Sequence, residues 1–414
     1  MNEKVRKLKQ QAEKMIQEWN EETDQIAEEN QAKVLAAFRD NKVSDFHFNP
    51  STGYGYDDEG RDTLERVYRS VFRTEAAIVR PQLISGTHAI STALFGVLRP
   101  GDELIYITGA PYDTLEEIVG VRGQTGNGSL RDFNIHYEAI PLTNNQVDWQ
   151  MVKQKMSNKT KMIGIQRSKG YAERDSFSIA EIEEMIRFVK SLYPDVIVFV
   201  DNCYGEFVEP LEPTDVGADL IAGSLIKNPG GGLAKIGGYL AGRQDLIDLC
   251  GYRLTTPGIG LEAGASLYSL LEMYQGFFLA PHVVAQAVKG ARFTAALLEL
   301  CGVETKPKWN VKRTDLIQSV SFEEQAQMVT FAQAIQKFSP VNAHVLPVGA
   351  YMPGYENDVI MAAGTFIQGA SLELTADGPI RPPYELYIQG GLTYEHVKIA
   401  VSEAVNELFS DESY

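Results

Sequence analysis

Cysteine is scarce in this chain: Cys203, Cys250 and Cys301 are the three among 414 residues, and none forms a CxxC pair. An odd, sparse count argues against a disulfide framework and fits a reducing, cytoplasmic setting. Histidine is also sparse, at six, without HExxH or paired ligand spacing, so no metal site is expected. No apolar run is long enough to span a bilayer. The start, from Met1 to Lys7, reads as a charged helix, with no apolar core of a signal peptide behind it. Positive charge is in deficit: 38 Lys and Arg against 55 Asp and Glu give −17 and a pI near 4.9. That balance disfavours nucleic acid and anionic membranes as partners. It leaves a small anionic ligand open, because local cations override a global field.

What is present is a large apolar share, 44%, over a length that fits two domains or three. Residues 1–42 read as helix, with Val5, Leu8, Ala12, Met15, Ile16 and Trp19 on one face. That stripe needs a surface to cover it, either its own domain or a second subunit. Residues 43–60 are loop chemistry containing Tyr54 and Tyr56. Seven strand candidates then alternate with helices: 77–84, 104–108, 134–141, 162–166, 196–200, 220–224 and 236–241. Buried strands separated by helices predict an α/β domain with a mostly parallel seven-stranded sheet. Beyond about residue 243 the pattern turns helical, with helices at 261–275 and 283–300, and then mixes short strands with helices at 322–338 and 394–409. The expected organisation is an N-terminal arm and interface loop at 1–60, a large α/β domain at 61–282 and a smaller α+β domain at 283–414.

The chemistry concentrates around Lys227, in Ser224-Leu225-Ile226-Lys227-Asn228-Pro229 ahead of three glycines. Asp201 closes the apolar run 196–200. A lysine on a glycine-rich turn, preceded by an aspartate ending a buried strand, is the pairing that holds pyridoxal phosphate: the amine takes the aldehyde and the carboxylate keeps the ring nitrogen protonated. Lys235 is the competing lysine, and a helix cap or a buried ion pair is the competing role for Asp201. Ser85, Gly86, Thr87 and His88 stand between a strand and a helix start. Free amides and the helix dipole there suit a phosphate dianion, and the same residues would equally make a plain N-cap. Ser224 is a further phosphate donor. Tyr112, past a strand end, is placed to stack on the ring and shuttle a proton, with His88 as the rival for stacking and packing on the next helix as the alternative. A glycine run at 258–264 follows no strand and carries no nucleotide fingerprint.

These motifs resemble the fold-type I pyridoxal-phosphate enzymes, specifically the cystathionine and methionine gamma-lyase group. The resemblance lies in Val200-Asp201-Asn202-Cys203-Tyr204, Ser224-Leu225-Ile226-Lys227 and Gly237-Gly238. The branch labelled methionine gamma-lyase-related or aluminium-resistance protein is similar in Ser85 to Ile90, Arg99 to Asp102, Gly109 to Leu115 and Asp377 to Tyr384. The resemblance spans nearly the whole chain. It implies a carbon–sulfur lyase performing β- or γ-elimination on a sulfur amino acid, and a homodimer or homotetramer with shared active sites. Tyr54 or Tyr56 would then reach the neighbouring subunit's phosphate. The group's arginine two residues after that tyrosine is absent here, and its threonine before the lysine is Ile226. Its carboxylate-gripping arginine is replaced as well, with Leu386 at that place, which directs the expectation to Arg381. An aminotransferase or racemase would share the same cofactor geometry, and a binding or regulatory protein would share the fold.

Overall fold

The computed structural model describes residues 1–352 and 357–409. Its larger sheet comprises β1 Ala76–Arg80, β2 Glu103–Tyr106, β3 His136–Ala139, β4 Thr160–Gln166, β5 Ile197–Asp201, β6 Leu220–Ser224 and β7 Gly238–Gly242. The spatial order is β1-β7-β6-β5-β4-β2-β3. Neighbours from β3 through β6 pair in parallel, while β7 runs antiparallel to both β6 and β1. The sheet is thus mixed, with a parallel centre. Helices α1 Glu3–Met15, α2 Gln17–Asp40, α3 Glu59–Val71, α4 Gly86–Val97, α5 Asp113–Val119, α6 Trp149–Lys155, α7 Ile179–Leu192 and α8 Gln244–Leu254 accompany it. Both faces are covered, as continuous apolar strands require: Ile163, Val198 and Ile221 face one core, and Met162, Phe199 and Leu240 the other.

The long helix α9, Leu270–Leu300, links this layer to a second, antiparallel sheet. That sheet holds β8 Glu304–Lys306, β9 Gln318–Ser321, β10 Val359–Ala362, β11 Thr375–Pro379 and β12 Glu385–Gln389, in the order β10-β11-β12-β9-β8. It packs under α10 Gln325–Lys337 and α11 Tyr394–Leu408, around Phe331, Ile335, Leu386, Ile388 and Val401. Val5, Ala12 and Ile16 of the N-terminal stripe bury in this same core, so the arm packs on its own chain.

One expectation needs correcting. The helices expected at 261–275 and 283–300 are one element starting at Leu270, which runs through positions 282 and 283. Phe277 buries in the large core and Phe293 in the small one, so the helix belongs to both. Residues 256–269 form no α-helix, only a short 3-10 turn at Gly260–Glu262, because their carbonyls are spoken for. Leu261 and Ala263 accept from Arg80, Gly264 from Arg61 and Ala265 from Gln82. Buried guanidinium groups need such acceptors, and a regular helix would have consumed them internally.

Candidate active site

The C-terminal ends of β2, β4, β5 and β6 converge on a cavity of about 1160 Å³, closed on its far side by the segment joining β11 to β12. This is the crevice where open parallel sheets take their ligands. Ser85, Gly86, Thr87, Tyr112, Asp201, Ser224, Lys227 and Arg381 all line it.

Lys227 follows β6 on a short turn. Its amide donates to the Ser224 carbonyl at 3.3 Å, and its carbonyl accepts from Gly230 at 3.2 Å. The glycines after it permit a close approach: Gly231 has a φ of 56°, and a side chain there would run into the carbonyl of Gly276 on α9. The Nζ atom stands 4.0 Å from the ring centre of Tyr204. Burial works against the ammonium, but Cys203, Tyr204, Asp201 and Tyr112 outweigh it, and the balance lies above the ordinary lysine range. Lys235 is different: it is exposed and paired with Glu272 at 2.5 Å, outside the cavity.

Asp201 ends β5 with its carboxyl buried, accepting from the Cys203 amide at 3.1 Å. Burial pushes this acid up, against the pull of Lys227, the Cys203 hydrogen bonds and Arg174. Its ionised form is therefore stabilised by a cation placed opposite it. Cys203 is buried beside it, and burial together with the Asp201 charge pushes its thiol well up, so it acts as a small packed group.

Ser85 caps α4, its Oγ accepting from the His88 amide at 3.0 Å. Such a cap stabilises a helix by about 1 kcal/mol. Among the described residues, the Gly86 and Thr87 amides have no acceptor in the protein. A methyl group at Gly86 would come to 3.0 Å from the Ser224 side chain, so glycine is what brings the helix start against the end of β6. Thr87 Oγ1 and Tyr112 Oη are 2.8 Å apart, and the Tyr112 amide donates to Gln166 Oε1 at 2.9 Å. Burial, with Asp201 nearby, raises the Tyr112 phenol above its usual range, which favours its protonated form.

Three expected residues do not line this chain's cavity. The His88 Nδ1 instead accepts from the Ile84 amide at 3.3 Å. Tyr54 and Tyr56 are exposed and stack on each other, with ring centres 5.3 Å apart. Leu386 is fully buried in the small core, because β12 alternates: Tyr387 and Gln389 face the cavity instead. Arg381 lies at the exposed rim.

Sequence reasoning missed Lys169, Arg174, Tyr204 and Asp315. Lys169 lies three residues past the end of β4, and Tyr204 three past the end of β5. The rule that ligands gather at the ends of parallel strands would have pointed to both. Arg174 and Asp315 act indirectly, by holding the loop after β4.

These residues fit pyridoxal phosphate. Two free amides and the hydroxyls of Thr87 and Ser224 suit a phosphate dianion at a helix start. Lys227 offers the amine, and Asp201 a buried carboxyl for a ring nitrogen.

The chain matches the methionine gamma-lyase family over residues 5–409. A Listeria innocua structure, provisionally named a cystathionine beta-lyase involved in aluminum resistance, is 74% identical with a TM-score of 0.97 and covers 98% of this chain and 100% of its own. A Clostridium novyi structure, a carbon-sulfur lyase involved in aluminum resistance, is 46% identical with a TM-score of 0.94, over 98% and 96% of the two chains. The Bacillus subtilis protein YnbB, uncharacterized, is 68% identical over 390 residues, 94% of this chain and 93% of its own. More distantly, the Lactobacillus plantarum cystathionine gamma-lyase shares the fold at 14% identity and a TM-score of 0.56, over 84% and 86% of the two chains. Cavity, sheet and relatives agree: the chain is a fold-type I protein and belongs to the methionine gamma-lyase family.

Proposed function

We propose that this protein is a pyridoxal-phosphate-dependent carbon–sulfur lyase that performs β- or γ-elimination on a sulfur-containing amino acid of the cystathionine, methionine or cysteine type. The observation that carries the reading is the meeting of Lys227, Asp201 and the free amides of α4 in one cavity. The names of the Listeria and Clostridium relatives support the reaction class. When bound, the cofactor would supply an aldehyde that condenses with amines and a protonated ring that takes up electrons from the α-carbon.

The chain's own residues would do the rest. Ser85 holds the helix start so that the Gly86 and Thr87 amides point at the phosphate, with Thr87 and Ser224 adding hydroxyl donors. Asp201 would hold the ring nitrogen, its carboxylate stabilised by the ring's positive charge. Lys227 Nζ would accept the α-proton and return a proton toward the departing sulfur. The Tyr112 phenol, held by Thr87, steadies the amine and donates where negative charge develops.

A homodimer or homotetramer is part of the same proposal, supported by the exposed aromatic loop of Tyr54 and Tyr56 and the exposed Leu267 and Tyr268. A cytoplasmic setting is supported by the sparse cysteine count, three in 414 residues. No helix among the described residues is long and apolar enough to cross a membrane. The test is to supply cystathionine, methionine and cysteine to the purified protein with pyridoxal phosphate. Release of thiol and keto acid in equal amounts is the expected result. Amino-group transfer without thiol release would replace the lyase reading with an aminotransferase.

A further inference from the structure

Lys169 is 2% exposed, yet its ammonium donates one hydrogen bond among the described residues, to Ser319 Oγ at 2.9 Å. The nearest carboxylate oxygen, Glu385 Oε1, stands at 3.9 Å, beyond hydrogen-bond reach. An ammonium has three donors, and leaving them unsatisfied in a buried position is costly. Lys169 lines the same cavity as Lys227, so its remaining donors have a ligand space to face.

The position is rigidly built. Arg174 donates to the carbonyls of Gln166 at 2.8 Å and Ser168 at 2.7 Å, the residues just before Lys169. Asp315 accepts from Ser168 Oγ at 2.7 Å and from Ser176, while Ser176 Oγ accepts from the Lys169 amide at 2.9 Å. Preorganised donors of this kind mark binding residues better than mobile surface cations do.

Glu385, Tyr387 and Gln389 of β12 line the cavity beside Lys169, and its Nζ stands 5.5 Å from the Tyr387 ring centre. Glu385, the anion nearest to Lys169, is engaged by the Tyr387 hydroxyl at 2.8 Å through its other oxygen. Of the other cations lining the cavity, Arg122 is paired with Asp113 and Glu116, and Arg381 lies at the exposed rim.

We propose that Lys169 receives the α-carboxylate of the substrate, with Arg381 as an outer cation, so that the site selects free amino acids over their amides. This rests on the amino-acid reading above and names one contact within it. A ligand carboxylate would supply the acceptors that the Lys169 ammonium lacks in the protein.

The test uses the holoprotein and its visible absorption. L-alanine and L-alaninamide, which carry no sulfur, are titrated against wild type, Lys169→Met, Lys169→Arg and Arg381→Met. Wild type should bind the acid more tightly than the amide by roughly 10- to 100-fold. Lys169→Met should keep the wild-type cofactor band and lose that preference through weaker acid binding alone. Lys169→Arg should restore part of it, and Arg381→Met should retain most of it. An unchanged acid-to-amide ratio in Lys169→Met overturns the assignment while leaving the lyase reading intact. So does loss of the cofactor band in a folded Lys169→Met protein, which would place the lysine with the cofactor. A wild-type protein that forms no band with pyridoxal phosphate overturns the lyase reading and this assignment with it.

Discussion

The two walls of the cavity are assembled over very different distances along the chain. The sheet-side wall takes Asp201, Ser224 and Lys227 from two adjacent strands, β5 and β6, and Ser85 to Thr87 from one helix start. The wall facing the small sheet needs Lys169 from the loop after β4, Asp315 and Ser319 well over a hundred residues later, and Tyr387 and Gln389 from β12. The first wall is specified by short motifs on regular elements. The second is specified by hydrogen bonds between distant loops. The proposed cofactor contacts are thus written locally, and the proposed substrate contact is written in the tertiary structure.

Substitutions that separate the walls should do so by size and by kind. Lys227→Ala should cost the most, with thiol release falling by ~10⁴-fold or more, while Lys235→Ala, at an exposed ion pair, should change it less than about twofold. Asp201→Asn should follow, with turnover down by about 10²- to 10³-fold and weaker cofactor retention on dialysis, because a neutral amide does not hold a ring proton. Tyr112→Phe removes the phenol while keeping the ring; a loss of roughly 10-fold in kcat, with the cofactor band unchanged, is expected from steady-state assays.

The smallest effect should come from the other wall, and in stability rather than chemistry. Asp377 on β11 is buried, and burial pushes its carboxyl from 3.8 up to about 7. Its folded value lies above its unfolded one, so the stability tied to the neutral acid is fully present below about pH 4. It is lost as pH rises through about 7. Gln389 Nε2 donates to it at 3.3 Å, while Asp377 Oδ2 and Gln389 Oε1 are both buried without a partner. Asp377→Asn, which cannot ionise, should raise the melting temperature relative to wild type by a few degrees at pH 8 and by less at pH 5. An equal difference at both pH values, measured by thermal denaturation, would remove the carboxyl's ionisation from the account.

The difference between the walls also explains what the sequence conveyed. The seven strands were legible because buried strands bounded by turn residues stand out against amphipathic helices. Lys227 and Asp201 were legible because each ends or follows such a strand. The antiparallel placement of β7 was not, since strand direction depends on where the chain returns. The start of α9 was misplaced because Arg61, Arg80 and Gln82 claim the carbonyls of Leu261 to Ala265, a demand made from about 200 residues away. The placement of His88 was not legible because its position in the motif says nothing about rotamer, and its ring turns back to Ile84. Lys169 carried no motif at all; its burial comes from Ser319, Tyr387 and the loop that Arg174 and Asp315 hold.

The central claim is that Lys227 is the cofactor lysine. Borohydride reduction of the protein with pyridoxal phosphate, followed by peptide mapping, tests it most directly. The account predicts a visible absorption band that disappears on reduction and a pyridoxyl group on Lys227 alone. A label on Lys169 or Lys235 instead, or a protein that stays colourless with added pyridoxal phosphate, would contradict it.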